Sequence, residues 1–251
     1  MSTISVSYQD GIAIVLLNRG VTNALDLDLV NDLDRQLDRV AKDKGVRAMV
    51  LGSASDKFFS IGFDIRKMFE YSRQDFETFF RAFNQVSLRL YTLPKPTAAA
   101  LTGHTVAGGC ILALCCDHRF MADGRKSMGL NEIRLGVPVP YLPDCILRDI
   151  AGVRFAQEIM ESGQFYEPMG CLQMGMIDEA LPAKDVIPRA VEKMKSLASW
   201  PLEAFAGIKR NRTQDIEKKV RELQEEKHVY FVDCWYSDDA RRLIGEAAKK
   251  F

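Results

Sequence analysis

TGHTVAGGCILALCCDHRFMA, residues 102–122, is the stretch whose reading decides the fold. Glycines at 103, 108 and 109 mark a tight backbone passage, because a residue without Cβ turns sharply and lets neighbours approach closely. The apolar run Cys110 to Cys116 reads as a short buried helix, and His118 to Ala122 as a strand. On the N-terminal side, Thr97 to Leu101 is small and apolar enough for an inner strand. Strand, glycine turn, buried helix and strand in succession argue for an α/β architecture.

Working outward, the same alternation continues. Ile4 to Tyr8 alternates, Asp10-Gly11 marks a turn, and Ile12 to Leu17 follows as a buried run, together a hairpin. Asp26 is an N-cap for a helix in which Leu29, Val30, Leu33, Leu37 and Val40 recur at helical spacing, and Val46 to Leu51 is the next strand. Ser72 and Asp75 resemble a capping box before the stripe Phe76, Phe79, Phe80, Phe83 and Leu90, and Pro94 and Pro96 stop that helix. The stripe is read as core, since the 3.6 period accounts for it. Beyond about residue 140 the strand signal fades. Leu142 to Ile150, Val153 to Ser162, Asp185 to Trp200 and Gln214 to Lys227 all look helical, so the C-terminal third is expected to be a helical appendage or lid.

Composition narrows the function. The 251 residues, 47% of them hydrophobic, suffice for one sizeable core. The 34 basic and 34 acidic side chains give no net charge, which argues against nucleic acid as a partner. No apolar run approaches the roughly 20 residues that cross a bilayer, and the N-terminus lacks the pattern of a secretory signal, so a soluble, cytoplasmic protein is expected. The six cysteines have no metal-ligand spacing and read as reduced, buried thiols, and no metal is expected.

Two glycine segments, Phe59 to Ile65 and Gly103 to Cys110, each lie at a strand-to-helix passage. A helix start presents unpaired N–H groups and the positive end of its dipole, which suits an anion or a developing anion, although a tight structural turn explains either segment equally well. GHTVAGGC has the glycines of a phosphate loop but places Gly109 and Cys110 where Lys and Ser or Thr are required. Nucleotide hydrolysis is thereby disfavoured, and no GxGxxG follows the first strand.

At these residues the chain resembles the crotonase, or enoyl-CoA hydratase/isomerase, superfamily. FFSIGFDIRKM (58–68) is similar to its FxAGxDxxxM segment, and residues 102–122 to its NGxxxGGGxxLxxxCDxRxxA segment. Asn23-Ala24-Leu25, LNEIRLGVPVP (130–140) and GQFYEPMGCLQMGMIDEALP (163–182) extend the resemblance over essentially the whole chain. It implies a spiral of strand-strand-helix turns over residues 1–195 and a helical trimerisation region over 196–251. It also implies acyl-CoA substrates, no separate cofactor because CoA is part of the substrate, and assembly as a homotrimer or hexamer. The superfamily's shared device is an oxyanion hole of two backbone N–H groups, which by motif position are those of Phe63 and Gly108. By the same carry-over Ala24, Ile61, Gly62, Asp64, Ile65, Ala107 and Ile111 line the substrate site, with Asp64 bracing its loop.

The departures from the family pattern point to the reaction. Hydratases of the superfamily use two glutamates, one just after the GGC and one in the NE element. Here the first position is Ile111, which cannot orient water, and the second is kept as Glu132 among apolar neighbours that raise its pKa. One carboxyl beside an oxyanion hole suits a proton shuttle, and the AGGC and GLNExxLG segments most resemble the mitochondrial type of Δ3-Δ2-enoyl-CoA isomerase. The expected activity is therefore transfer of the double bond of a 3-enoyl-CoA to the 2-position. The alternatives are hydration, hydrolysis or decarboxylation on the same oxyanion hole, or a non-catalytic acyl-CoA-binding or RNA-binding subunit. His104 is read as packed or hydrogen-bonded and the run Lys209 to Arg212 as a solvated helix end, while Phe231, Trp235 and Tyr236 are read as core or interface, with a lid over the acyl chain as the alternative.

Overall fold

A computed structural model describes residues 3–249. Strands β1 (Ile4–Gln9) and β2 (Ile12–Leu17) pair antiparallel with Gln9 opposite Ile12. The connecting Asp10 and Gly11 both take positive φ, 50° and 77°, as the tight two-residue hairpin turn requires. Helix α1 (Leu27–Lys42) starts where the Asp26 side chain accepts the Leu29 N–H, and buries Leu29, Val30, Leu33, Leu37 and Val40.

A repeat then begins. Its first turn is β3 (Ala48–Ser53), β4 (Phe58–Ser60), α2 (Ile65–Phe69) and α3 (Arg73–Tyr91), and its second is β5 (Thr97–Leu101), β6 (His104–Val106) and α4 (Gly108–Leu114). The third is β7 (His118–Ala122), β8 (Met128–Gly129) and a 3-10 turn over Glu132–Leu135. In each turn the first strand joins a six-stranded sheet of order β1-β2-β3-β5-β7-β9 and the second joins a three-stranded sheet of order β4-β6-β8. Except for the hairpin, every pairing between these strands is parallel. This is the spiral of strand-strand-helix turns expected from the resemblance. The strands β4, β6 and β8 are two or three residues long, too short for alternation to reveal them.

After the 3-10 turn come α5 (Tyr141–Ile150), α6 (Gly152–Ser162), α7 (Pro168–Gln173), β9 (Glu179–Leu181), α8 (Ala183–Ala198), α9 (Leu202–Trp235) and α10 (Asp238–Ala248). The strand β9 departs from the expectation of helices alone, and its pairing with β7 completes the large sheet. Helix α9 runs 34 residues, well beyond the expected Gln214 to Lys227, because the segment has no proline and a single glycine. Among the described residues no helix is long and apolar enough to cross a membrane.

The inner strands of the large sheet are buried on both faces, and their side chains divide by parity. Ala48, Val50, Ala98, Ala100, Phe120 and Ala122 pack with Val186, Ala190, Val191 and Met194 of α8. Met49, Leu51, Ala99, Leu101 and Met121 face the main core instead, a direct result of the two-residue strand period. The predicted stripe on α3 forms the aromatic centre of that core. Phe76 stacks on Trp235 at 4.2 Å and Phe80 on Phe231 at 4.0 Å, so α9 closes over α3 within the same chain. Each such ring contributes roughly 1.5–3 kcal/mol by leaving water.

One expectation is corrected. Lys209 is not on a solvated helix end: it is 3% exposed, and its Nζ donates to Asp117 Oδ2 at 2.8 Å. Arg212 pairs with the other oxygen of Asp117, and the Thr97 hydroxyl donates to Oδ2 at 2.9 Å. The charge therefore ties α9 to the loop before β7. A run of basic residues read without its fold offers no sign of a buried acidic partner 92 positions away.

Candidate active site

The small sheet builds the candidate site, because the chain leaves the C-terminal end of each of its parallel strands towards one of the residues singled out by the sequence. Phe63 follows β4, Gly108 follows β6 and Glu132 follows β8. Ligands of parallel sheets gather at such ends, where loops and helix starts present unpaired backbone groups. All three residues line one cavity of about 590 Å³.

The first amide is freed by the way its loop is pinned. Leu25 N–H donates to Gly62 O at 2.8 Å, and Asp64 N–H donates to Leu25 O at 2.9 Å. Gly62 N–H donates to Ser60 Oγ at 3.1 Å, and Ser60 Oγ donates to Asn23 O at 2.8 Å. Asn23 in turn spans to Ser53 Oγ and Phe59 O from a backbone with φ 45°. These bonds hold Phe63 with its own N–H directed away from Leu25, as alternation along a paired strand requires.

The second amide opens α4. Ala107 takes φ 47° and ψ −118°, an unfavourable conformation for a residue with Cβ, costing on the order of 1–3 kcal/mol. Its N–H donates to Gly129 O at 2.9 Å, and its carbonyl accepts Ile111 N–H at 2.9 Å. Gly108 N–H, like Phe63 N–H, donates to no acceptor among the described residues. Gly62 makes the two segments adjacent: with φ 89°, a Cβ placed there would stand 3.0 Å from Gly108 N.

Glu132 lines the same cavity. It is 6% exposed, and its Oε2 has no hydrogen-bond partner. Burial pushes its pKa up to about 7, against a smaller lowering by the Glu132 and Asn131 backbone amides. Among the described residues the one other carboxyl lining the cavity is Asp64, whose Oδ1 accepts the Lys67 N–H as the cap of α2. Ile111, 1% exposed, fills the position where a second glutamate would stand in the hydratase pattern.

The remaining residues singled out by sequence also gather here. Ala24, Ile61, Asp64, Ile65, Ala107 and Ile111 line the cavity, whereas Gly62 lies behind the wall and acts through its close approach to Gly108. The Phe63 ring turns into the core, edge-on to Phe79 at 4.8 Å and Phe83 at 4.9 Å, which accommodates its bulk. His104 also lines the cavity, with Nδ1 2.9 Å from Ser127 Oγ and its ring against Phe58. Burial and the neighbouring Lys126 and Lys57 lower its pKa.

Two further lining residues carry polar atoms: Asn131, which the sequence reading did not pick out as a site residue, and Trp235, which it read as core or interface. Asn131 Oδ1 and Trp235 Nε1 are buried and lack partners, so with Glu132 Oε2 they give the cavity three unsatisfied polar side-chain atoms. Such atoms are stabilised by a polar ligand. Asn131 adjoins Glu132 in sequence, but nothing local signals Trp235, which arrives from the end of α9. Among the described residues no group of three or more His, Cys, Asp or Glu side chains is placed to hold a metal ion.

A profile of the enoyl-CoA hydratase/isomerase family matches residues 7–249. The mouse protein named enoyl-CoA delta isomerase 1, mitochondrial, is 30% identical over 226 residues, covering 88% of this chain and 78% of that protein. A Mycobacterium avium protein named probable enoyl-CoA hydratase echA17 is also 30% identical, over 203 residues, 81% of this chain and 78% of its own. The crystal structure of human mitochondrial Δ3-Δ2-enoyl-CoA isomerase superimposes with a TM-score of 0.95 at 25% identity, covering 99% of this chain and 97% of that one.

Proposed function

The chain belongs to the enoyl-CoA hydratase/isomerase family, and within it we propose that the protein moves the double bond of 3-enoyl-CoA thioesters to the 2-position. The observation behind this reading is that Glu132, whose Oε2 has no hydrogen-bond partner, lines the same cavity as two residues with unengaged backbone amides. In the proposed reaction the Glu132 carboxylate takes a proton from C2 of the 3-enoyl thioester. The electron pair moves through the conjugated system to give a dienolate, whose oxygen accepts from Phe63 N–H and Gly108 N–H. The same carboxyl then returns the proton at C4 and leaves the 2-enoyl thioester. One amide of such a pair is worth about 10²–10³ in rate.

The pKa of about 7 supports the assignment, since a base titrating near neutrality exchanges protons in both directions. Ile111 argues against hydration, which in the family pattern engages a second glutamate at that position. No cofactor is needed for the shuttle, CoA being part of the substrate. As further parts of the proposal, exposed Ile133, Val153 and Met169 offer an apolar surface for a homotrimer or a hexamer of two trimers, read by light scattering. The helical region 196–251 is proposed as its trimerisation part and the cytoplasm as its location, read by limited proteolysis and by fractionation.

The deciding experiment incubates the protein separately with 3-hexenoyl-CoA and 2-hexenoyl-CoA. The expected result is a conjugated 2-enoyl product from the first and no 3-hydroxyacyl product from the second. Hydration of 2-hexenoyl-CoA with no conversion of the 3-enoyl thioester would reverse the assignment.

A further inference from the structure

A second cavity of about 560 Å³ lies between α3, α5 and α9. Phe231 and Pro140 line both cavities, so the wall they share includes one aromatic side chain and one proline ring. Phe231 is 3% exposed and stacks on Phe80 at 4.0 Å, so its ring is the aromatic side chain that separates the two cavities. Apolar residues such as Leu88, Val139 and Leu142 line the second cavity and would accept a hydrocarbon chain.

Its polar lining is unusual in one respect. The four charged side chains that line it are already compensated: Arg89 by Asp34 at 2.5 Å, Asp144 by Arg148 at 2.6 Å, Arg221 by Glu217 at 2.7 Å and Lys227 by Glu226 at 2.7 Å. His228 is different. It is 3% exposed, stacks on Phe80 at 5.4 Å, and its Nε2 has no partner. Burial first, and then Arg81, lower its pKa against a smaller raising by Glu225 and Glu77, which favours the neutral imidazole. Leaving such a buried nitrogen unmet costs about 1–3 kcal/mol. A hydroxyl both donates and accepts, so it suits a neutral imidazole in either tautomer. A carboxylate would instead call for an uncompensated cation, and the described lining offers none.

We propose that acyl chains long enough to pass Phe231 enter this second cavity, and that His228 there bonds a hydroxyl borne near the far end of the chain. Hydroxylated long-chain acyl-CoA thioesters are then the preferred substrate class. The inference rests on the acyl-CoA reading of the first cavity, although not on which bond is rearranged there.

Calorimetric binding of saturated ligands tests it without requiring turnover. The probes are hexanoyl-CoA, dodecanoyl-CoA and ω-hydroxydodecanoyl-CoA. The wild type is expected to bind the hydroxylated chain roughly three- to tenfold more tightly than the plain dodecanoyl chain, the range of one neutral hydrogen bond. His228→Leu should abolish that preference, His228→Gln should restore part of it, and hexanoyl-CoA should bind all three proteins alike. Val139→Trp, which fills the second cavity, should weaken both long-chain ligands and spare hexanoyl-CoA. Equal affinity for the two long chains, or a preference that survives His228→Leu, overturns the proposal. Failure of the wild type to bind even hexanoyl-CoA would overturn the acyl-CoA reading itself, and this inference with it.

Discussion

Replacing Glu132 by Gln removes one titratable proton while nearly preserving side-chain volume, which separates the chemistry of the carboxyl from its packing. Burial holds the Glu132 pKa at about 7 against an ordinary 4.5. Below the lower value the carboxyl is protonated in the folded and unfolded chains alike, and its contribution to stability is fully present. Between the two values the folded chain holds a proton that the unfolded chain has released, so stability falls as pH rises and the contribution is gone once pH passes about 7. At ~1.36 kcal/mol per pH unit the loss is about 3 kcal/mol. The Gln variant has no such dependence, so relative to wild type it should gain about 3 kcal/mol between about pH 4.5 and pH 8. For a chain of this length that is a relative change in Tm of roughly 6–12 °C. Differential scanning calorimetry across that range measures it. In parallel, wild-type kcat/KM should rise about tenfold per pH unit to a plateau above about pH 7. The variant should lose about 10²–10⁴-fold or more in turnover and still bind a saturated acyl-CoA. Parallel stability profiles, or turnover within tenfold of wild type, would refute the buried-base reasoning.

Gly62→Ala should reduce turnover by about 10²–10³-fold, because its Cβ would stand 3.0 Å from Gly108 N on a backbone at φ 89°; steady-state kinetics on folded variant checks this. Ile111→Glu buries a second carboxyl in the same cavity and should raise the Glu132 pKa further, moving the acid limb of the pH–rate profile to higher pH. An unmoved limb would show that the two positions do not share a field. Lys209→Met removes one of the two cations paired with Asp117 and should destabilise the fold by about 3 kcal/mol, read as a lowered urea midpoint.

Much of the site was legible because its parts are backbone features with local signatures. Gly62, Gly108 and the capping Asp64 announce a turn and a helix start in the letters themselves, and the apolar neighbours of Glu132 announce a perturbed carboxyl. Trp235 was legible only as a core, interface or lid residue, and His228 was not legible at all. Each sits on a helix more than 90 positions from Glu132, and helical spacing says only that one face is apolar, not which cavity it will cover. Lys209 failed for the same reason, since a buried lysine and a solvated one look identical until the acidic partner is placed.

The sequence alone determined the longer strands and helices of the α/β pattern, the caps and turns, and the presence of one carboxyl where the hydratase pattern has two, because each depends on residues close together in the chain. Only the tertiary structure decided that three short parallel strands deliver two amides and that carboxyl into one cavity, and that α9 seals it with Phe231 and Trp235. Those facts depend on strand pairing and helix packing across long separations, where burial and the loss of water, rather than local propensity, set the outcome.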